Sequence, residues 1–263
     1  MTYGQTHGLP SYEEGAYELG TIEFFNRLDS EFLNWNKPLH ANKPFDRLFP
    51  YQQYGAGDKV LEVGCGLGTM AEQWALNGVE LTAVDLNPVS VAQTKKRFKL
   101  KELPGDVSRM DARHLDFEDG TFDYAYSWGV LHHSPHLENS IMEMLRVLKP
   151  GGAFGLMLYN RNSILHWYKT VYQEGFLHME REFLGPLELA SRYGDGAREE
   201  GNPHTWPVTK NEIKLILESQ STEIKFRVLG TDLKTAFHSL LPGIGLFLPG
   251  FLIKPWARRL GWS

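Results

Sequence analysis

Three groups of residues in this chain have types and spacing that could do chemistry: the alternating Gly64, Gly66 and Gly68, Asp85, and the pair His132–His133. Glycines let a backbone turn sharply and pass close to a ligand with no Cβ in the way. A glycine turn that opens a helix also presents free N–H groups to that ligand. An ionised carboxylate only accepts hydrogen bonds, so Asp85 suits the two hydroxyls of a ribose. An imidazole titrates near neutral pH, which makes His132 and His133 candidate proton acceptors. The combination describes a loop and an acid around a nucleotide-type ligand, beside a group able to take a proton.

These residues need elements to hold them. Residues 59–63 (KVLEV) form a short β-branched and apolar run that reads as a buried strand, and Met70, Ala71, Trp74, Ala75 and Leu76 follow the glycines with helical spacing. Strand, glycine turn and helix form the opening unit of a nucleotide-binding α/β domain. A second strand over Glu80–Val84 ends in Asp85, and Asn87 and Pro88 read as N-cap and first residue of the next helix. A third strand is expected over Val107–Asp111 and a fourth over Phe122–Ser127, which runs into Trp128–Pro135. Ser134 and Pro135 read as another N-cap pair, opening a helix through Leu137, Ile141, Leu145 and Leu148. Lys149-Pro150-Gly151-Gly152 then stops that helix before a strand over Ala153–Leu158.

Two glycine patterns compete for the loop. A dinucleotide fingerprint wants G-x-G-x-x-G/A directly after the strand. Counted from Gly64 its third position is Thr69, which fails; counted from Gly66 it is Ala71, two residues too far along. The other pattern is E-x-G-x-G-x-G from Glu62 to Gly68, which resembles the first motif of class I S-adenosyl-L-methionine (SAM) dependent methyltransferases. V-D-L-N-P, F-D-Y-A-Y-S-W-G-V-L-H-H and L-R-V-L-K-P-G-G follow in order. The four motifs over residues 55–160 resemble the small-molecule branch of that family, of which quinone-biosynthesis C-methyltransferases are an example.

The resemblance implies a Rossmann-like, doubly wound, mostly parallel seven-stranded sheet with SAM as cofactor and S-adenosyl-L-homocysteine as product. It implies a cofactor site of Glu62, Gly64, Cys65, Gly66, Gly68, Asp85, Leu86, Met110, Asp111, Ala112 and Ser127, with Asp111 taking the adenine amino group. It implies a small-molecule acceptor, with its O, N, S or C atom left open. A protein or peptide acceptor, and a SAM-binding protein without turnover, are the alternatives on the same scaffold.

Composition narrows the rest. A formal charge of −5 gives no electrostatic footprint for nucleic acid. The one basic cluster, Lys95-Lys96-Arg97 with Lys99 and Lys101, reads as a solvated helix face. A single cysteine excludes an internal disulfide or a cysteine-based zinc site, and Cys65 lies in the loop as a small side chain rather than as a nucleophile. His166, His178 and His204 lack metal-ligand spacing, so no catalytic metal is expected. Residues 1–20 are polar with no apolar h-region, so a cytoplasmic location is expected.

Around this centre, residues 1–50 read as an N-terminal helical arm or lid, helical over Tyr17–Leu33, with Tyr12, Tyr17 or Trp35 as residues that a lid brings to the ligand. Residues 51–263 read as the methyltransferase domain, with a substrate-pocket insertion after the fifth strand at about 160–210. Within it a helix is expected over Ile164–Tyr172. Thr209-Lys210-Asn211-Glu212 is a capping box for a helix through Ser219, and Glu223–Leu229 alternates as a strand. The tail from Ala236 to Ser263 is apolar but broken by prolines and glycines. It reads as core or substrate-cap packing, with peripheral contact to a lipid surface as the alternative. A last antiparallel strand is expected there and has no clear counterpart.

SAM carries an already activated methyl group, so the chain's task is to align the acceptor and exclude water. A base is needed only where the acceptor must lose a proton. His132 is the first candidate and His133 the second, and Tyr159 is the candidate for orienting the acceptor.

Overall fold

Lys59–Val63 (β1) is the central strand, buried at every residue after Lys59. It pairs in parallel with Glu80–Asp85 (β2) on one side and with Phe122–Trp128 (β4) on the other. Asp106–Arg109 (β3) extends the sheet beyond β2, and Leu148–Met157 (β5) extends it beyond β4, giving the order β3-β2-β1-β4-β5. Parallel sheets are covered on both faces, which is why these strands are near-continuous apolar runs. The chain winds outward from β1 to β3 and then crosses back to β4. In such sheets the crevice at the reversal, outside the carboxyl ends of the strands, is where ligands bind.

The computed structural model describes residues 18–164, 166–194, 201–218, 220 and 223–227, with the Trp35 side chain left aside. These fall into two compact units, one reaching to Leu158 and including residues 201–202, the other holding residues 159–194 and those from 203 onward.

In the first unit, register fixes one face of the sheet. Val60 lies beside Tyr124 and Glu62 beside Tyr126, so all four share a face. Onto that face pack Trp74 of the helix Thr69–Leu76 (α2) and the aromatic segment before β1. Phe49 and Trp74 lie 4.9 and 5.9 Å from the Tyr126 ring, and Tyr51 lies 4.5 Å from Trp74. Ahead of them runs Ile22–Trp35 (α1), capped by Thr21, whose hydroxyl accepts from the Phe24 amide at 3.2 Å. This start lies five residues after the expected one at Tyr17. Pro88–Leu100 (α3) begins as the sequence indicates, with the Asn87 side chain accepting from the Val89 amide at 2.8 Å.

Four local expectations are corrected. Ser134 caps no long helix: its hydroxyl accepts from the His136 amide in a turn, and the helix Leu137–Arg146 (α4) starts two residues beyond Pro135. That helix also ends before Leu148, which pairs with Phe122 as the first residue of β5. The Lys149–Gly152 stretch is an irregularity within β5, between the pairs Phe122–Leu148 and Tyr124–Ala153, with Gly151 at φ +81°. Two glycines and a proline let a strand bulge as readily as they end a helix. The strand at the third position stops at Arg109, short of Asp111.

In the second unit, Asn160 bridges to Val208. The helix expected from Ile164 is the wider π-helix His166–Leu177. Its larger turn brings residues four and five apart into line: the Tyr172 ring stacks on Trp167 at 5.6 Å and on Phe176 at 6.0 Å. Pro186–Tyr193 (α5) and Lys210–Leu217 (α6) follow. The capping box of α6 forms as expected, with Thr209 accepting from the Glu212 amide and Glu212 from the Thr209 amide. Arg161 closes on this helix, 2.6 Å from Glu212 and 4.4 Å from the Trp206 ring centre.

Five parallel strands are present among the described residues, where seven were expected. Residues 223–227 join no ladder, while 228–229 and the tail expected to hold the last strand lie outside the described residues. No helix among the described residues is long and apolar enough to cross a membrane.

Candidate functional site

The loop after β1 takes its shape from three glycines with positive φ, +86° at Gly64, +54° at Gly66 and +82° at Gly68. The Gly64 and Cys65 amides both donate to Val84 O, at 2.7 and 3.0 Å, which hooks the loop onto β2. A Cβ on Gly64 would stand 2.4 Å from Val130 Cγ2, whereas one on Gly66 would meet no atom within 4 Å. Gly64 therefore packs tightly beneath the residues that leave β4, and Gly66 borders open space. Gly68 then serves as the N-cap of α2 without any side chain to close it.

Thr94 Oγ1 of α3 donates to Gly66 O at 2.9 Å. Across a trans peptide the N–H points opposite to the C=O, so the Leu67 amide faces away from α3. No hydrogen bond to that amide is made among the described residues. A free N–H, an open face over Gly66 and a helix N-terminus together make a place for an electron-rich ligand group.

Asp85 stands at the tip of β2. Its Oδ2 accepts from the Gly66 amide at 2.9 Å and its Oδ1 from the Asn87 amide at 2.8 Å. Each oxygen keeps capacity for one further hydrogen bond, which fits a ribose diol. Burial raises the Asp85 pKa, and the two amides offset part of that rise. Leu86 beside it is exposed, and the Met110 amide donates to Asp85 O at 3.1 Å, drawing the end of β3 to the same edge.

Glu62 is buried, and its pKa is raised to about 8. Burial is the main cause and the Asp85 charge adds to it. The Tyr126 phenol and the Arg97 charge act the other way, although the Tyr126 hydroxyl stays outside hydrogen-bond geometry. Glu62 Oε2 has no hydrogen-bond partner among the described residues. A buried carboxyl oxygen with unused capacity fits a cationic or donor group brought by a ligand.

The remaining expected residues divide. Ser127 Oγ donates to Val63 O at 2.8 Å and ties β4 to β1. Cys65 is buried, its thiol pKa pushed up by burial, with Sγ 4.0 Å from Thr94 Oγ1. Asp111 lies past the end of β3, and Ala112 follows it in the turn. Both Asp111 oxygens lie 3.0 Å from Arg113 Nε, and this hydrogen bonding holds the carboxyl below its usual range. Its carboxylate keeps an acceptor site beside Arg113, but a ligand amine would share it with that guanidinium. His132 and His133 sit on a single 3₁₀ turn, Leu131–His133, after β4 with rings 4.2 Å apart; His132 is fully buried and His133 half-buried. Tyr159 belongs to the second unit, where its carbonyl accepts from the Val208 amide at 2.8 Å. Tyr12 and Tyr17 lie outside the described residues, as does the Trp35 side chain.

The basic run on α3 differs from its expected role as a solvated face. Lys95, Lys96 and Lys99 are exposed, but Arg97 is fully buried. Its Nη1 donates to Leu67 O of the glycine loop at 3.2 Å, and its Nε to Glu72 at 2.6 Å. The clue lay in the spacing, because Arg97 falls on the same helical stripe as Val91, Thr94 and Phe98.

The chain is similar to several known proteins. The family described as "Methyltransferase domain" matches residues 61–156. A ubiquinone biosynthesis O-methyltransferase of Chromobacterium violaceum is 34% identical over 177 residues, covering 61% of this chain and 72% of the relative. A sterol 24-C-methyltransferase of Schizosaccharomyces pombe is 36% identical over 146 residues, covering 53% of this chain and 35% of that protein. Among solved structures, a SAM-dependent methyltransferase of Methanosarcina mazei aligns with a TM-score of 0.53 at 23% identity, over 68% of this chain and 87% of the other. A Pyrococcus horikoshii protein aligns at 0.51 and 21% identity over 83% and 90% of the two chains. At these identities the solved structures speak for the fold.

The open face at Gly66, the spare acceptor capacity of Asp85, and a Leu67 amide and Glu62 oxygen without partners among the described residues leave room for the polar groups of an adenosyl amino acid. The chain belongs to the class I SAM-dependent methyltransferases, in their small-molecule branch.

Proposed function

We propose that this enzyme methylates a small molecule by in-line displacement, with the cofactor held by Glu62, the Gly64–Gly68 loop, Asp85 and the Met110–Ala112 turn. The observation that supports the placement most directly is the joint seat of Asp85, which grips the Gly66 amide while keeping acceptor capacity. When bound, SAM supplies a methyl group activated by its sulfonium and leaves as S-adenosyl-L-homocysteine. The chain's own contribution is alignment and dryness, which in favourable cases lower a barrier by about 7–11 kcal/mol.

For an acceptor that must lose a proton, the His132–His133 turn supplies the base. Of the two, the half-buried His133 is the one able to meet an acceptor, and the buried His132 ring supports it at 4.2 Å. The likeness to a ubiquinone biosynthesis O-methyltransferase over most of that protein's length favours an oxygen acceptor.

A second reading, a lipophilic acceptor drawn from a membrane, has its own support. Trp167, Tyr172, Phe176, Leu177, Met179 and Phe183 in the second unit are all exposed. Isolated exposed apolar residues are ordinary, but a run of large ones is the mark of a contact surface.

The deciding experiment is calorimetric titration with SAM and S-adenosylhomocysteine, followed by a screen of phenol, quinone, carboxylate, amine and thiol acceptors with and without liposomes. Binding with turnover on a phenol or quinone is expected. Turnover only on peptides would overturn the small-molecule reading, and equal rates with and without liposomes would remove the membrane one.

A further inference from the structure

Behind the glycine loop, on the side away from the proposed cofactor, lies a charged cluster that joins three helices. Arg97 of α3 is fully buried, and its guanidinium reaches Glu72 on α2, Asp29 on α1, and the Leu67 carbonyl within the loop. Lys101, the C-cap of α3, lies 2.8 Å from Glu72 and 3.7 Å from Asp29. Asp29 also accepts from Thr69 Oγ1, the first residue of α2, at 2.8 Å. The Phe25 ring of α1 covers the guanidinium at 5.3 Å.

The charges in this cluster balance, two cations against two anions, and one anion comes from the N-terminal arm. A guanidinium taken fully out of water holds its place only while its partners are complete. Asp29 also puts a negative charge at the N-terminus of α2, where the helix dipole favours one. Thr94 and Arg97 together set the loop's shape. They take the carbonyls of Gly66 and Leu67, and a Cβ on Gly68 would stand 2.8 Å from Thr94 Cγ2 and 3.3 Å from Arg97 Cδ. The direction of the Leu67 amide is thus fixed from behind by α3, and Arg97 is fixed in turn by α1.

We propose that Asp29 and Arg97 are a positioning pair through which the N-terminal helix α1 holds the glycine loop in its cofactor-binding shape. Both act on the loop and the start of α2 from behind, Arg97 through Leu67 O and Asp29 through Thr69 Oγ1. The proposal rests on the assignment of the loop to SAM and adds to it a linkage: whatever seats α1 strengthens cofactor binding, and cofactor binding seats α1 by the same factor.

The test compares wild type, Asp29→Asn, and Arg27→Ala as a control on the exposed side of the same helix. Calorimetry with S-adenosylhomocysteine is paired with hydrogen exchange of residues 22–35 with and without that ligand. The expected result is a dissociation constant raised about tenfold in Asp29→Asn and unchanged in Arg27→Ala. The ligand should slow exchange in residues 22–35 of the wild type, and less so in Asp29→Asn. A folded Asp29→Asn that binds as tightly as wild type would overturn the proposal, because a merely structural salt bridge lowers melting temperature without changing affinity. Should that variant not fold, the wild-type exchange decides alone: no slowing over 22–35 on ligand addition overturns the linkage. A wild type that binds no S-adenosylhomocysteine would instead remove the loop's assignment, and the proposal with it.

Discussion

Asp85 Oδ2 accepts a hydrogen bond from the Gly66 amide at 2.9 Å, so the acid that ends β2 also braces the loop that follows β1. The residue proposed to hold the ribose therefore shapes the loop proposed to pass beside it. Asp85→Ala removes both functions. Hydrogen bonds to a charged group contribute about 1.5–3 kcal/mol each, so SAM affinity should fall roughly a hundredfold. Calorimetry on the purified variant reads this directly, and unchanged affinity would move the ribose elsewhere.

The glycines of the loop should separate by what surrounds them. Alanine at Gly66 meets no neighbour, so its cost to folding is the left-handed backbone alone, about 1–2 kcal/mol. Its new methyl group stands in the open face, so cofactor binding should suffer more than stability. Alanine at Gly64 would run into Val130 and should lower the melting temperature sharply. Thermal unfolding and S-adenosylhomocysteine titration of both variants would show the split; equal melting temperatures would contradict it.

Glu62 predicts a pH signature. Its pKa in the folded protein is about 8, above the ordinary carboxyl value of 4.5. Between those values the folded chain keeps a proton that the unfolded chain has lost, so stability falls as pH rises through that window and levels off above it. Asp85 shifts in the same direction and adds to the fall. Glu62→Gln cannot ionise. The melting temperature of the wild type, measured against that variant, should therefore drop between about pH 5 and pH 8. Parallel curves would mean that Glu62 does not titrate in this range.

The two histidines should differ. Loss of a general base costs about 10²–10⁴ in rate. His133→Ala should show such a loss in kcat on an acceptor that must be deprotonated, with S-adenosylhomocysteine affinity unchanged. His132→Ala, emptying a fully buried position, should chiefly lower the melting temperature. A His133→Ala variant with full kcat on a phenol would remove the assigned base.

Local chemistry made much of the centre legible in advance. β1 spans the expected residues, the loop glycines adopt positive φ, Asn87 caps α3, and the Thr209–Glu212 box caps α6. Each depends on side chains and backbone within a few residues of one another, and such preferences are written into short stretches. Ser134–Pro135 carries the local signal for a cap for the same reason, but the Ser134 hydroxyl is taken by a turn to His136. The Lys149–Gly152 stretch likewise permits a stop or a bulge, and pairing with β4 selected the bulge.

The residues alone determined that a glycine loop between a buried strand and a helix would meet an acid at the tip of the next strand, because motif and spacing are properties of the chain. Only the tertiary structure decided that Arg97 is buried beneath that loop and completed by Asp29, a partner 68 residues away. A run of lysines and arginine along a helix appears solvated until a second helix covers one side. Which side is covered depends on packing between segments far apart in sequence, and there the free energy of burying a charge is set by partners that no local pattern names.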